Sequence, residues 1–452
     1  MNPKRLLRTS ALTAVAVLAA AGSAEAGPLG TWSQVTAGHG NTMRPGLART
    51  GDGVLHVSWS RDEGDVERVL HSTISPDAKS VSGPGTVFTN TLGGVVPGSD
   101  LVVAPDGTLR AFFAGANYLD GHLATTTSDD GGVTWDAPRE ASRFEPGGKD
   151  VYAASNIGAA LGKDGTFYSI WDDSSPDGAG YHIGIAHRHF DLELPGYLQS
   201  DTNVAVDSVS GRVVTAWNSM DDDKVAVMPI FAKGPAVTIP NSTPYLLHQV
   251  GITGRMGAPG VFVAYGRGTN PYMADPSVYR VDTGQATRLT KKDGEQTSIA
   301  AAPGGRLWAF WKSEGTAYAT RSNPAATKWG KIVSVRAPHK ATAIYNLAGD
   351  ASLGPLDLLV TTETSGGYAS WHRRILPGLS AKTAKNKKGK TAMKVLDAGA
   401  PVGGAKVKVK KVGSKKTGAS GQAVFSLEPG RYKVSVSKKG YAPFTKKIKV
   451  KK

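Results

Sequence analysis

The sequence predicts an all-β chain: a seven-bladed β-propeller followed by a small β-sandwich. Three observations predict it. A glycine with an aromatic residue six positions later recurs along the chain. Short runs of alternating apolar residues, the pattern of half-buried strands, flank each copy. The last sixty or so residues alternate valine with lysine between glycine turns. The composition agrees. A chain of 452 residues is long enough for two or three domains, and 56 Gly with 26 Pro favour many turns over a helical bundle. There is no cysteine, which excludes disulfides, cysteine-ligated zinc and thiol catalysis.

At the N-terminus, Lys4, Arg5 and Arg8 precede an apolar run from Ala11 to Ala21, and Ala24-Glu25-Ala26 fits a small-x-small cleavage site. Residues 1–26 therefore read as a signal peptide, with Gly27 opening the mature chain. The run is shorter than the roughly 20 residues needed to span a bilayer, so the protein is expected to be secreted and not membrane-spanning. Next, Thr31 to Val35 looks like an outer strand with no blade before it. Its expected role is to complete the last blade and close the ring.

The repeats come next. Gly53, Gly107, Gly165, Gly211 and Gly305 lead to Trp59, Phe113, Trp171, Trp217 and Trp311. A shorter copy runs from Gly260 to Tyr265, and a degenerate one from Gly354 to Thr361. The seven glycines are 45 to 58 residues apart, the spacing of four-stranded blades. The alternative is six blades and an irregular segment. The propeller is assigned to 28–378, a lysine-rich linker to 379–390 and the sandwich to 391–452. Residues 379–452 hold 21 Lys and Arg against two acids, Asp397 and Glu428, a net charge of +19. The rest of the chain, with 32 basic and 35 acidic residues, is at −3. Such asymmetry predicts a tail domain that seeks anionic partners, with plain solubility as the other reading. Its aromatics, Phe425, Tyr432, Tyr441 and Phe444, sit at core-like positions, so nucleic acid is not expected as a partner.

Residues 128–135 read Ser-Asp-Asp-Gly-Gly-Val-Thr-Trp, which matches an Asp box at Ser128, Asp130, Gly132, Thr134 and Trp135. The chain thereby resembles the sialidase-like, BNR-repeat propellers. In that family the Asp box is a structural turn between the third and fourth strands, not a catalytic element. Ser322 to Trp329 resembles an eroded copy without the Asp. The C-terminal segment resembles carboxypeptidase regulatory-like (transthyretin-like) domains at Pro401, Gly404, Thr417, Gly421, Phe425, Pro429-Gly430, Tyr432 and Gly440-Tyr441. No peptidase is implied, because the chain has no His-x-x-Glu metal pair.

Strand alternation puts the loops entering each inner strand on the same face as the loops leaving the second strand. That face offers Arg44, Asp100, Asn156, Asp201, His248, Glu295 and Tyr345 on entry. It offers Arg61, Asp62, Asp65, Asp172, Asp173, Asn218, Lys312 and Glu363 on exit. The expected ligand-binding residues are Arg44, Arg61, Asp100 and Asn156. The sialidase resemblance implies Asp62 or Asp65 as an acid, with Asp62 the candidate taken, Tyr345 as a nucleophile and Glu363 as a partner near it. It also implies a three-arginine clamp, but Arg255, Arg267 and Arg280 do not fit the second and third places. Asp172-Asp173 with Asp177, and Asp221-Asp222-Asp223, are acidic turns that could bind calcium, and His182, His187 and His189 lie near one strand. No metal site is assigned and no cofactor is expected.

The sequence thus leads to a secreted, surface-associated monomer. Its propeller binds an extracellular glycan or another ligand, and its basic domain attaches to an anionic cell-wall polymer or polysaccharide. A glycan-active enzyme, either a sialidase-like hydrolase or a polysaccharide lyase, is the alternative. An adhesion protein with no small ligand is a third.

Overall fold

The computed structural model describes residues 24–25, 30–37, 44–62, 66–90, 98–114, 123–140, 152–174, 181–186, 190–192, 199–219, 223–230, 235–244, 249–385 and 390–450. Among them, seven antiparallel sheets follow one another from residue 24 to residue 375, and two more lie beyond. The innermost strands of the seven are Gly46–Arg49, Ser99–Val103, Tyr152–Leu161, Gln199–Val206, Gly251–Arg255, Glu295–Ala302 and Asn346–Asp350. Each lies beside the next, and the seventh lies beside the first. The fold is a β-propeller.

The repeat explains the packing. Each repeat aromatic falls on the second strand of its sheet, and Trp59, Phe113, Trp171, Trp217, Tyr265 and Trp311 are all buried, as is Thr361 of the degenerate copy. A separate hydrophobic cluster fills each of the seven gaps between neighbouring sheets. Six of the repeat glycines stand between the first strand and the second, and Gly260 stands inside the second strand, Ala258–Arg267. All seven have φ between +69° and +115°, where a Cβ is unfavourable.

The ring closes through the N-terminus. Ser33 and Gln34 pair antiparallel with His372 and Trp371, so a strand from the start of the chain is the outermost strand of the seventh sheet. A buried ion cluster crosses the same seam. Asp357 accepts from Arg49 at 2.5 Å, from Arg374 at 2.7 and 2.8 Å, and bonds to His372 at 2.9 Å. Burial raises the Asp357 pKa, but the bonds from His372 and Arg374 outweigh it and hold the carboxyl below its ordinary range.

The segment 379–390 is not a linker in its first half. Ser380–Lys385 is a strand paired along its length with Thr391–Asp397. It joins the fold because Leu379 and Ala381 point into the C-terminal core while Lys382 is exposed. The C-terminal domain has two sheets. One holds Ser380–Lys385, Thr391–Asp397, Ala400–Pro401 and Gln422–Phe425. The other holds Gly413–Lys416, Lys406–Val409, Gly430–Ser437 and Phe444–Val450. One core joins them, with Met393, Val395 and Phe425 from the first and Val407, Val434 and Ile448 from the second.

This domain is anchored to the sixth sheet. The carboxylate of Asp397, 1% exposed, takes ion pairs from both Arg321 and Arg306. The ring of Tyr441 lies 5.3 Å from the Arg321 guanidinium, and Gly378 forms a bridge with Ala442. Residues 1–23 lie outside the described residues, so the signal-peptide reading does too. Ala24 and Glu25 of the expected cleavage motif pair with Val81 and Ser80 in the uncleaved chain. Among the described residues no helix is long and apolar enough to cross a membrane.

Candidate ligand-binding site at the propeller axis

The inner strands share one register. The residue opposite the position just before the repeat aromatic is Gly46, Asp100, Gly158, Asn203, Gly251, Ser298 and Leu347 in the seven sheets. The glycines of the first, third and fifth sheets alternate with larger residues of the second, fourth and sixth. A Cβ on Gly46 would lie 2.6 Å from the Cα of Asp100, and one on Gly251 would lie 2.8 Å from the Cα of Ser298. Backbones therefore meet at the axis only because these side chains are missing.

Two residues before those positions stand Arg44, Asn156, Asp201, Gln249, Gln296 and Tyr345. Asn156, Asp201 and Gln296 sit at bulges with φ of +47°, +60° and +40°. Left-handed backbone at non-glycine residues costs about 1–3 kcal/mol each and gathers at functional sites. Here the bulges turn a set of polar side chains toward one end of the ring. Arg44 of the first sheet donates to Oε1 of Gln249 of the fifth at 3.5 Å, and Nε2 of Gln249 donates to the carbonyl of Asn156 of the third at 3.1 Å. Three sheets thus meet across the axis. Beside them, Asn218 donates to Asp201 and Gln296 donates to Asn346. A cavity of about 30 Å³ lies among Asn218, Gln249, Gln296 and Thr297.

Arg44 is the cation of this group. Burial lowers its pKa, and Asp100 nearby pulls the other way. A guanidinium stays charged throughout and offers five donors. Among the described residues a side-chain acceptor is recorded for one of them. Asp100 is pushed up to about 6 by burial, against the pull of Arg44 and of backbone N–H groups. Its two oxygens accept from Leu101 at 2.9 Å and Ala159 at 2.8 Å, so it ties the second inner strand to the third. Arg44, Asp100 and Asn156 are brought together. Arg61 and Asp62 end the second strand of the first sheet, opposite Arg68 and Glu67.

Tyr345 donates its hydroxyl to Oε2 of Glu363 at 2.9 Å and meets the edge of Tyr368. The bond to Glu363 raises the phenol pKa, so the tyrosine is held protonated. Glu295 and Lys312, both on the sequence-derived face, pair with each other at 2.8 Å. Arg255 cannot join an anion clamp, because its guanidinium is bonded to the carbonyls of Gly305, Pro259 and Pro324. His187, His189, His248, Asp65, Asp177, Asp221 and Asp222 lie outside the described residues.

The opposite face carries the Asp box. Asp130 accepts from the N–H of Val133 and of Thr134 and from the Thr134 hydroxyl, and Ser128 accepts from the N–H of Gly132. These bonds hold the Asp130 carboxyl down at about 2. A cleft of about 920 Å³ opens beside it, between the first and second sheets. At its wall His56 Nδ1 lies 3.0 Å from His71 Nε2, and His71 meets the edge of Trp135. Burial pushes both histidines down to about 4.

Residues 394–452 match the family model of the carboxypeptidase regulatory-like domain. The C-terminal unit is a carboxypeptidase regulatory-like domain. No curated protein matches the sequence. Among solved structures, a protein of unknown function from Dyadobacter fermentans is 13% identical over 76% of this chain and 99% of its own, with a TM-score of 0.42. A puromycin hydrolase is 14% identical over 82% of this chain, with a TM-score of 0.47, and the chain spans 62% of its length. The polysaccharide lyase Uly1 is 10% identical over 75% of this chain and 90% of its own, with a TM-score of 0.42. The fold assignment rests on the strand topology, and no activity is carried over from these proteins.

Proposed function

We propose that the chain is an extracellular, surface-associated β-propeller of seven blades that binds an acidic glycan at the axis, with the basic C-terminal sandwich as its attachment module. The observation that carries this reading is the convergence of Arg44, Gln249 and the Asn156 carbonyl from three separate sheets. A guanidinium suits the planar, two-pronged recognition of a carboxylate or sulfate. The amides of Asn156, Gln249 and Gln296 suit hydroxyls, which donate and accept at once. Anchorage of the basic domain through Asp397 uses Arg306 and Arg321 on the Asp-box face, so the axial mouth with Arg44 lies on the other face of the propeller. The test is a screen of immobilised acidic and neutral oligosaccharides. Retention of acidic ones by the whole chain, weakened about tenfold or more in Arg44→Ala, is the expected outcome. Equal retention by the variant would remove the axial site.

The Tyr345–Glu363 pair favours a second reading, a glycan-active enzyme. In it the neutral phenol would attack the anomeric carbon as the glycosidic C–O bond breaks, Glu363 taking the phenol's proton and the departing oxygen taking one from water, so that no charged nucleophile meets an anionic sugar. Product release that Tyr345→Phe and Glu363→Gln both abolish would establish this reading. Binding without release of sugar or unsaturated uronate leaves the first.

A further inference from the structure

We infer that the outer sheet of the C-terminal domain is a docking face for a linear polyanionic polysaccharide, one carrying carboxylate or sulfate groups. The inference deepens the attachment role proposed above and rests on it. Along this sheet Val407, Val409, Val434, Val436 and Ile448 point inward and are buried. The alternate residues Lys406, Lys408, Lys410, Lys416, Arg431, Lys433, Lys447 and Lys449 are exposed. The register sets like charges opposite one another: Lys406 against Lys416, Lys433 against Lys447, and Arg431 against Lys449. Such cross-strand pairs destabilise a sheet. The domain has two acids to relieve them, and Asp397 is buried against the sixth sheet, away from this face.

Three other lysines of the domain behave differently. Lys415, Lys438 and Lys446 each donate to a backbone carbonyl, of Val424, Gly403 and Ala381, at 2.6–2.7 Å. Lys415 and Lys438 also lie over the rings of Phe425 and Tyr441. These have work in the fold. The lysines of the outer face have no ion pair or hydrogen bond recorded among the described residues. Solubility alone does not call for this arrangement, since mixed charges serve it without repulsion. A flat sheet repeats its outward side chains about every 7 Å along a strand and about 5 Å between strands. That lattice of point charges complements an extended chain of closely spaced anions.

Nucleic acid is less well matched. The aromatics of this sheet, Tyr432 and Phe444, pack against the core and leave no stacking platform. A bilayer is also less well matched, since Arg431, Lys433, Lys447 and Lys449 offer it charge but no apolar or aromatic anchor.

The test uses the whole chain against heparin for sulfate, polygalacturonate for carboxylate, neutral dextran, phosphatidylserine-rich vesicles and single-stranded DNA. We expect salt-sensitive binding to one or both polysaccharides and none to dextran. K433Q/K447Q/K449Q should weaken it about a hundredfold, at roughly fivefold per surface lysine. The same variant should melt at an equal or higher temperature, because it relieves repulsion. K291Q/K292Q/K340Q, which removes three exposed lysines from the propeller, should bind as wild type. The inference is overturned if that control weakens binding equally, if the chain binds only vesicles or DNA, or if the face variant melts lower. Retention of axial oligosaccharides, lost in Arg44→Ala and kept in the face variant, reports separately on the propeller. Failure at one site is thus told apart from failure at the other.

Discussion

At the scale of single residues, Asp357 and Asp397 are buried carboxylates whose partners join parts of the chain far apart in sequence. Asp357 gathers Arg49, Arg374 and His372 where the seventh sheet meets the first. Removing one member of a buried ion cluster leaves the others uncompensated and costs about 3–5 kcal/mol. Asp357→Ala is therefore expected to lower the denaturation free energy by that amount in urea melts. Asp100 shows how far a residue's role can be read in advance. Its place near the axis followed from counting along the repeat. Its engagement did not, because both oxygens are taken up by backbone N–H groups, one of them from the neighbouring sheet.

At the scale of elements, the hairpins were the most legible part. A positive-φ glycine and a buried aromatic six residues later mark a turn and a core position whatever the neighbouring sheets do. The bulges were not legible. Counting without them selects Glu295, whereas the bulge of the sixth inner strand brings Gln296 to the axis one residue later. The cue was present, since Arg44, Asn156 and Gln249 each stand two residues before a glycine of the inner strand. The pair His56 and His71, on adjoining strands of the first sheet, was missed for a related reason: their contact is diagonal across the strands. Both have pKa values near 4, against 6.5 in an unfolded chain. The unfolded state then binds more protons between those values, so the pair contributes stability that is fully present above pH 6.5 and lost as pH falls toward 4. Melting temperatures between pH 7 and 4 should fall less steeply in His56→Gln than in wild type. Parallel curves would show that the pair does not titrate on unfolding.

At the scale of the whole molecule, two connections decide the architecture. The first is the strand Ser33–Gln34, which covers the edge of the seventh sheet, with Trp32 donating to the Arg336 carbonyl and Val35 entering the core between the seventh and first sheets. Deleting residues 27–37 should expose that edge, and association in size-exclusion chromatography is the expected result. The second is the Asp397 cluster. With it intact, the C-terminal domain and the sixth sheet share a buried contact; in Asp397→Ala calorimetry should show the C-terminal domain melting in a separate, earlier transition. The charge asymmetry of the tail was plain from composition, but the like-charged pairs set opposite one another on one sheet needed the register.

The measurement that bears most directly on the central claim is a crystal structure of the chain with the acidic oligosaccharide it retains best. The account predicts the sugar at the axial mouth, with its anionic group against Arg44 and its hydroxyls against Gln249 and Asn156. Sugar density confined to the cleft beside His56 and His71, or to the outer edges of the sheets, would contradict it.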